Sequence, residues 1–105
     1  MEFLEGFEQY RDTALRAIKT FGYAPEHNIY DFWYGEDRED ADAKNYFVVL
    51  GEGVGLFATR SGSEWWILAE PVAPPARRAA ALTDFLNEIF KNHGAQKVYC
   101  KLRAD

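Results

Sequence analysis

The chain has 105 residues and a formal net charge of -5, the size of one domain that buries roughly two thirds of the surface its unfolded form exposes. A single cysteine, Cys100, excludes an internal disulfide and a cysteine-based zinc cluster. The acidic balance argues against nucleic-acid binding by bulk charge, which depends on Lys and Arg displacing phosphate counterions.

The first segment carries Glu2, Glu5 and Glu8 and has neither a basic start nor an unbroken apolar run, so it does not read as a signal peptide. No stretch approaches the roughly 20 apolar residues of a membrane span. Composition and cysteine use together suggest a cytoplasmic globular protein, rich in aromatics with three Trp, six Tyr and eight Phe. Phe3, Phe7, Tyr10, Ala14, Ile18 and Phe21 recur at steps of three and four. That spacing predicts one amphipathic helix ending at Gly22, with Glu5, Glu8, Arg11, Asp12, Arg16 and Lys19 on its solvent face.

The period is lost between Tyr23 and Asp42. Here "IYDFWY", Ile29 to Tyr34, reads as a short strand or irregular segment whose Tyr30, Phe32, Trp33 and Tyr34 suit a core or an interface. "GEDREDAD", Gly35 to Asp42, lacks the glycine and glutamate positions of a calcium loop and reads as a solvated charge run. Three apolar runs follow: Asn45 to Gly51, Val54 to Arg60 and Glu64 to Glu70, separated by "GEG" and "SGS". Such short, glycine-rich connections predict an antiparallel three-stranded meander. Both alternating sets, Tyr46/Val48/Leu50 and Phe47/Val49, are apolar, so both faces of the sheet should be covered.

Pro71, Pro74 and Pro75 are expected to end the third strand, and Pro75 suits the first turn of a helix. Leu82, Phe85, Leu86, Ile89 and Phe90 form the apolar stripe of that helix, with Gly94 as its left-handed cap. "KVYCKLR", Lys97 to Arg103, reads as a last strand reached by a helical crossover and hence parallel to a neighbour. The expected fold is α/β (α+β): helix, three-stranded antiparallel meander, helix, final strand, in a mixed sheet covered by helices.

This order resembles the acyltransferase fold known as GNAT. The succession "AKNYFVV", "GVGLFATR", "WWILAEPVAPP", "LTDFLNEIFKNHG" and "KVYCKL", from Ala43 to Leu102, is similar to the first half of the lysylphosphatidylglycerol synthetase C-terminal domain family. Members of that family carry tandem GNAT-like halves and transfer an aminoacyl group from tRNA to a lipid. The family usually reads Gly-Asp-Pro where this chain has Ala69-Glu70-Pro71. The resemblance implies a single half that pairs with another chain, or a fragment of something longer, and carries over no catalytic residues.

A pyrophosphate cradle needs backbone N–H groups where a strand gives way to a helix. Between Leu68 and Leu82 there is no glycine, and three prolines remove donors. Arg77 and Arg78 are the candidate cofactor-binding residues of that corner, although cations at a helix start oppose its dipole. Glu70, directly after a strand, is a candidate base or a cap, and Tyr99 a candidate proton shuttle. His27 and His93 are far apart and form no spaced metal motif, and Cys100 suits a core position.

Two functions are therefore in view. One is a GNAT-like half-domain without an acyl-CoA site, serving as a structural, substrate-positioning or interaction module, with a homodimer or a second GNAT-like half as its partnership. The other is a small N-acyltransferase using acetyl-CoA at a divergent turn, Pro74 to Arg78. Nothing in the chain forms a basic amphipathic surface for anionic lipid.

Overall fold

The structure is a computed structural model that describes residues 1–21, 43–67 and 70–100. The aromatic run Ile29 to Tyr34, the acidic run Gly35 to Asp42 and His27 lie outside the described residues.

The first difference from the sequence expectation is at the amino-terminal end. Glu2–Glu5 is a strand, β1, not the opening turn of the helix. Gly6, at φ 86°, bends the chain from strand to helix, and its N–H donates to the Asn45 carbonyl at 2.9 Å. That left-handed value strains any residue with a Cβ, so the apolar period across residue 6 is broken by the backbone. Helix α1 then runs over Phe7–Phe21, with Glu8 in its first turn and Lys19 in its last, both favourable to the helix dipole. The Glu5 N–H donates to the Gln9 Oε1 at 2.9 Å, holding the turn closed.

Strands β2 (Lys44–Gly51), β3 (Val54–Ser61) and β4 (Glu64–Ile67) form the expected meander. Its first turn places Gly51, Glu52 and Gly53 all at positive φ, and its second turns on Gly62. After β4 a single 3₁₀ turn, Pro75–Arg77, leads into helix α2, Arg78–Asn92. Gly94 sits at φ 65° beyond it, as expected for a left-handed terminus. The chain then enters β5, Lys97–Cys100.

The five strands lie in the order β1-β2-β3-β4-β5. The first four pair antiparallel, and β5 lies parallel to β4 through Glu64↔Lys97, Trp65↔Val98, Trp66↔Tyr99 and Ile67↔Cys100. Among the described residues, two helices on a mixed five-stranded sheet make an α+β fold. A parallel neighbour requires a crossover, and α2 supplies it.

Alternation along the strands divides the core between the two faces, as both apolar sets of β2 require. On one face Phe47, Phe57 and Val72 pack with Tyr10, Ala14 and Ala17 of α1, joined by Leu4 and Val49. On the other, Val48, Leu56, Ala58, Trp65 and Ile67 pack with Phe85 and Ile89 of α2, joined by Phe3 and Tyr46. Phe3 and Phe7, which share a helical face by sequence spacing, are thus sent to opposite sides of the sheet. Trp65, fully buried, is the centre of the α2 side, with its ring 5.8 Å from Tyr46, 6.0 Å from Phe3 and 5.9 Å from Phe85. Edge-on and offset ring pairs at such distances add to simple area burial.

The third strand, β4, ends ahead of the prolines as expected, and one isolated bridge follows beyond them. Past Pro71, Val72 exchanges both backbone hydrogen bonds with Gly55, N–H to carbonyl at 2.7 and 3.0 Å. Pro71 is tolerated because the ladder bonds fall on Val72, one residue later. Cys100 is also corrected: it is exposed rather than part of the core, because β5 is an outer strand. Among the described residues no helix is long and apolar enough to cross a membrane.

Candidate functional site

The strand-to-helix corner is built from Glu70 to Arg78. Pro74, at φ -55° and ψ 141°, is extended and turns the chain into the 3₁₀ segment that Pro75 opens. Ala73, with Val54 and Ala81, forms a small apolar cluster beneath the corner. This cluster fixes the start of α2 against the β2–β3 hairpin.

The backbone donors of the corner are largely committed. Val72 N–H bonds Gly55, Arg77 N–H bonds the Pro74 carbonyl at 2.9 Å, and Arg78 N–H bonds the Pro75 carbonyl. Pro71, Pro74 and Pro75 have no N–H. From residue 71 to 78 only the amides of Ala73 and Ala76 remain for a ligand.

Each candidate arginine is paired with a carboxylate. Arg78 Nη1 donates to Glu70 Oε2 at 3.2 Å, and Arg78 Nε donates to the Ala73 carbonyl at 3.2 Å. Arg77 Nη1 donates to Glu52 Oε2 at 2.9 Å, reaching the β2–β3 turn. The structure thus brings Glu70, Arg77 and Arg78 to one corner, with each guanidinium facing a carboxylate. The Glu70 carboxylate pairs with the Arg78 side chain, and neither the 3₁₀ turn nor α2 has a side-chain cap at its start, so the amide-capping role weighed from sequence is not what the structure shows.

Tyr99 belongs elsewhere. Its hydroxyl donates to Glu64 Oε1 at 3.4 Å, at the start of β4, whereas Glu70 follows the end of that strand. Its ring stacks on Trp66 with centroids 5.3 Å apart and planes 19° apart. No hydrogen bond joins Tyr99 to Glu70, so the two candidate proton carriers do not form a pair. His93 closes α2 and lies against Phe3 at 4.5 Å, with Nε2 3.8 Å from Glu88 Oε1.

One cluster escaped the sequence reading. Glu5 accepts a hydrogen bond from the Tyr46 hydroxyl at 3.2 Å and lies 3.6 Å from Lys44 Nζ. Burial, then the charge and hydrogen bond of Glu5, raise the Tyr46 pKa above its ordinary 10.0, while the Arg60 guanidinium opposes them. Beside it opens a cleft of about 650 Å³, lined in part by Glu5, Gln9, Lys44 and Asn45. The signal was available in "EFLE" followed by glycine: reading it as a strand places Glu5 opposite Tyr46, as the register does. Among the described residues no three His, Cys, Asp or Glu side chains stand together in a way that could hold a metal ion.

No family model matches the chain, and no solved structure matches it. It is 25% identical over 83 residues to Trehalose 6-phosphate phosphatase RA3 of Zea mays, covering 76% of this chain and 21% of that protein. It is 26% identical over 74 residues to Probable trehalose-phosphate phosphatase 3 of Oryza sativa subsp. japonica, covering 70% of this chain and 19% of that protein. The chain spans about a fifth of the length of the curated relatives it matches.

Proposed function

We propose that the chain is a cytoplasmic GNAT-like half-domain without an acyl-CoA site, acting as a structural, substrate-positioning or interaction module related to aminoacyl and acyl transferases. The observation that carries this reading is the occupancy of the corner. A pyrophosphate needs several convergent amides, and here prolines and internal bonds leave two between residues 71 and 78. The strand order, antiparallel through β4 and then parallel through a crossover helix, supports the GNAT-like resemblance. The two plant phosphatases match too little of their own length to bring an activity with them.

The alternative, a small N-acyltransferase binding acetyl-CoA at Pro74 to Arg78, draws on one fact: Arg77 and Arg78 both stand at the corner, in exposed or half-buried pairs a phosphate could enter. Surface pairs of this kind are worth only about 0–1 kcal/mol. Calorimetric and thermal-shift titration with CoA and acetyl-CoA separates the two readings. The module reading expects no saturable shift. Binding at 100 times Kd would add about 2.7 kcal/mol to stability, and that result would establish the alternative.

A further inference from the structure

Strand β5 is an outer strand of the described sheet, bonded to β4 on one side and to no described strand on the other. The Lys97 N–H donates to the Ser63 carbonyl, towards β4. Backbone groups alternate in direction along a strand, so Val98 turns its N–H and C=O to the open side. Open groups of this kind invite another strand, and β5 carries neither a proline nor a bulge to prevent it. The one charge of β5, Lys97, guards the edge only against a partner that offers the ammonium nothing.

The side chains along this edge are two halves of one contact. On the α1 side Tyr99 stacks one ring face on Trp66, with centroids 5.3 Å and planes 19° apart, and is 41% exposed. Its hydroxyl stays with Glu64, so the ring face turned from Trp66 is what the edge offers. Two residues earlier, on the same face, Lys97 is exposed and has no ion pair among the described residues. On the α2 side Val98 is half-buried against the cluster around Trp65.

We propose that β5 pairs antiparallel with β5 of a second copy of this chain, about a two-fold axis normal to the sheet, with Val98 opposite the partner's Val98. This rests on the interaction-module reading and names its partner. An axis normal to the sheet keeps the two α1 sides together and the two α2 sides together. The facing valines exchange both backbone hydrogen bonds and join their half-buried side chains. Lys97 of each copy then falls opposite the partner's Tyr99 in a close, non-hydrogen-bonded pair, where the ammonium meets the open ring face. Every residue this contact uses lies within 97–99. A register centred on Tyr99 instead moves Lys97 two residues off the partner's ring. The contact is isologous and closes at two copies.

Disulfide trapping and sedimentation velocity test it. Every trapping variant carries Cys100→Ser, which removes the native thiol. Val98→Cys in that background should link into a dimer in oxidised glutathione, because facing residues of such a pair have Cα atoms about 5.5 Å apart, within disulfide reach. Tyr99→Cys should lag behind it, since the two copies of residue 99 are offset by two positions along the strands. In sedimentation up to about 1 mM the wild-type chain is expected to pass from monomer to dimer and no further, at the weak affinity of a small interface. Tyr99→Ser should weaken the dimer about fivefold to thirtyfold, the scale of two exposed cation–ring contacts. Val98→Pro should abolish it and leave β5 in place, because a proline on an outer strand loses only an outward N–H. Circular dichroism checks folding, and Tyr99→Ser decides if the proline variant unfolds. A chain monomeric to about 1 mM, growth beyond two, a folded Val98→Pro dimer, Tyr99→Cys linking as readily as Val98→Cys, or Tyr99→Ser associating like wild type overturns the proposal. CoA titration reads the corner and these experiments read the edge, so failure of the one is distinguishable from failure of the other.

Discussion

The ring of Phe47 lies directly over Gly55, so a Cβ at residue 55 would fall within the ring atoms. Both residues are buried, Phe47 at the centre of the α1 side and Gly55 in the strand that also bonds Val72. The glycine is required here by space and not by its φ, because the ring occupies the volume that any side chain would need.

Gly55→Ala should therefore destabilise the fold by about 1–3 kcal/mol, the usual cost of overpacking a filled core. For a domain of this size that lowers Tm by roughly 4–8 °C for each kcal/mol. Adding Phe47→Leu should recover part of the loss, since the smaller side chain yields the space. Thermal and urea denaturation of the single and double variants measure it; a Gly55→Ala chain as stable as wild type would show that the ring lies elsewhere.

Tyr46 makes alkaline stability titratable. Its pKa is raised in the fold from the ordinary 10.0, mainly by burial and then by Glu5. A group whose native pKa is raised contributes stability below the unfolded pKa and loses it as pH climbs through the native one. The wild-type advantage over Tyr46→Phe should thus be full at pH 8 and shrink above pH 10, lost progressively towards the raised value. Urea unfolding at the two pH values checks this, and an unchanged difference would mean that the phenol ionises alike in both states.

Arg77 and Arg78 look equivalent in sequence but are held differently. Arg78 is 29% exposed and bonds both Glu70 and the Ala73 carbonyl, whereas Arg77 is 54% exposed and reaches Glu52, itself 79% exposed. Arg78→Ala should cost about 1 kcal/mol, the value of a typical net hydrogen bond. Arg77→Ala should cost less than about 0.5 kcal/mol, as open surface pairs do. Equal losses in chemical denaturation would contradict the corner geometry.

Much of this fold was legible because the signals were local. The turns "GEG" and "SGS" set the meander, the prolines set the approach to α2, and the stripe from Leu82 to Phe90 with Gly94 set its length. The amino-terminal strand was not legible. Phe3 and Phe7 stand four apart, as on a helix, and only pairing of Glu2↔Val49 through Glu5↔Tyr46 reveals a strand. The strand is four residues long, too short for its own alternation to outweigh the helical period that continues beyond it.

The candidate site divides in the same way. Residue types and breaks along the chain determined that Glu70, Arg77 and Arg78 gather where a strand yields to a helix, because proline and glycine act on their own backbone. Only the tertiary structure decided that these charges pair with each other and with Glu52, that Val72 returns to the ladder, and that Tyr99 turns to Glu64. Those outcomes depend on contacts between residues distant in sequence, where pairing and packing choose among partners that local propensity treats alike.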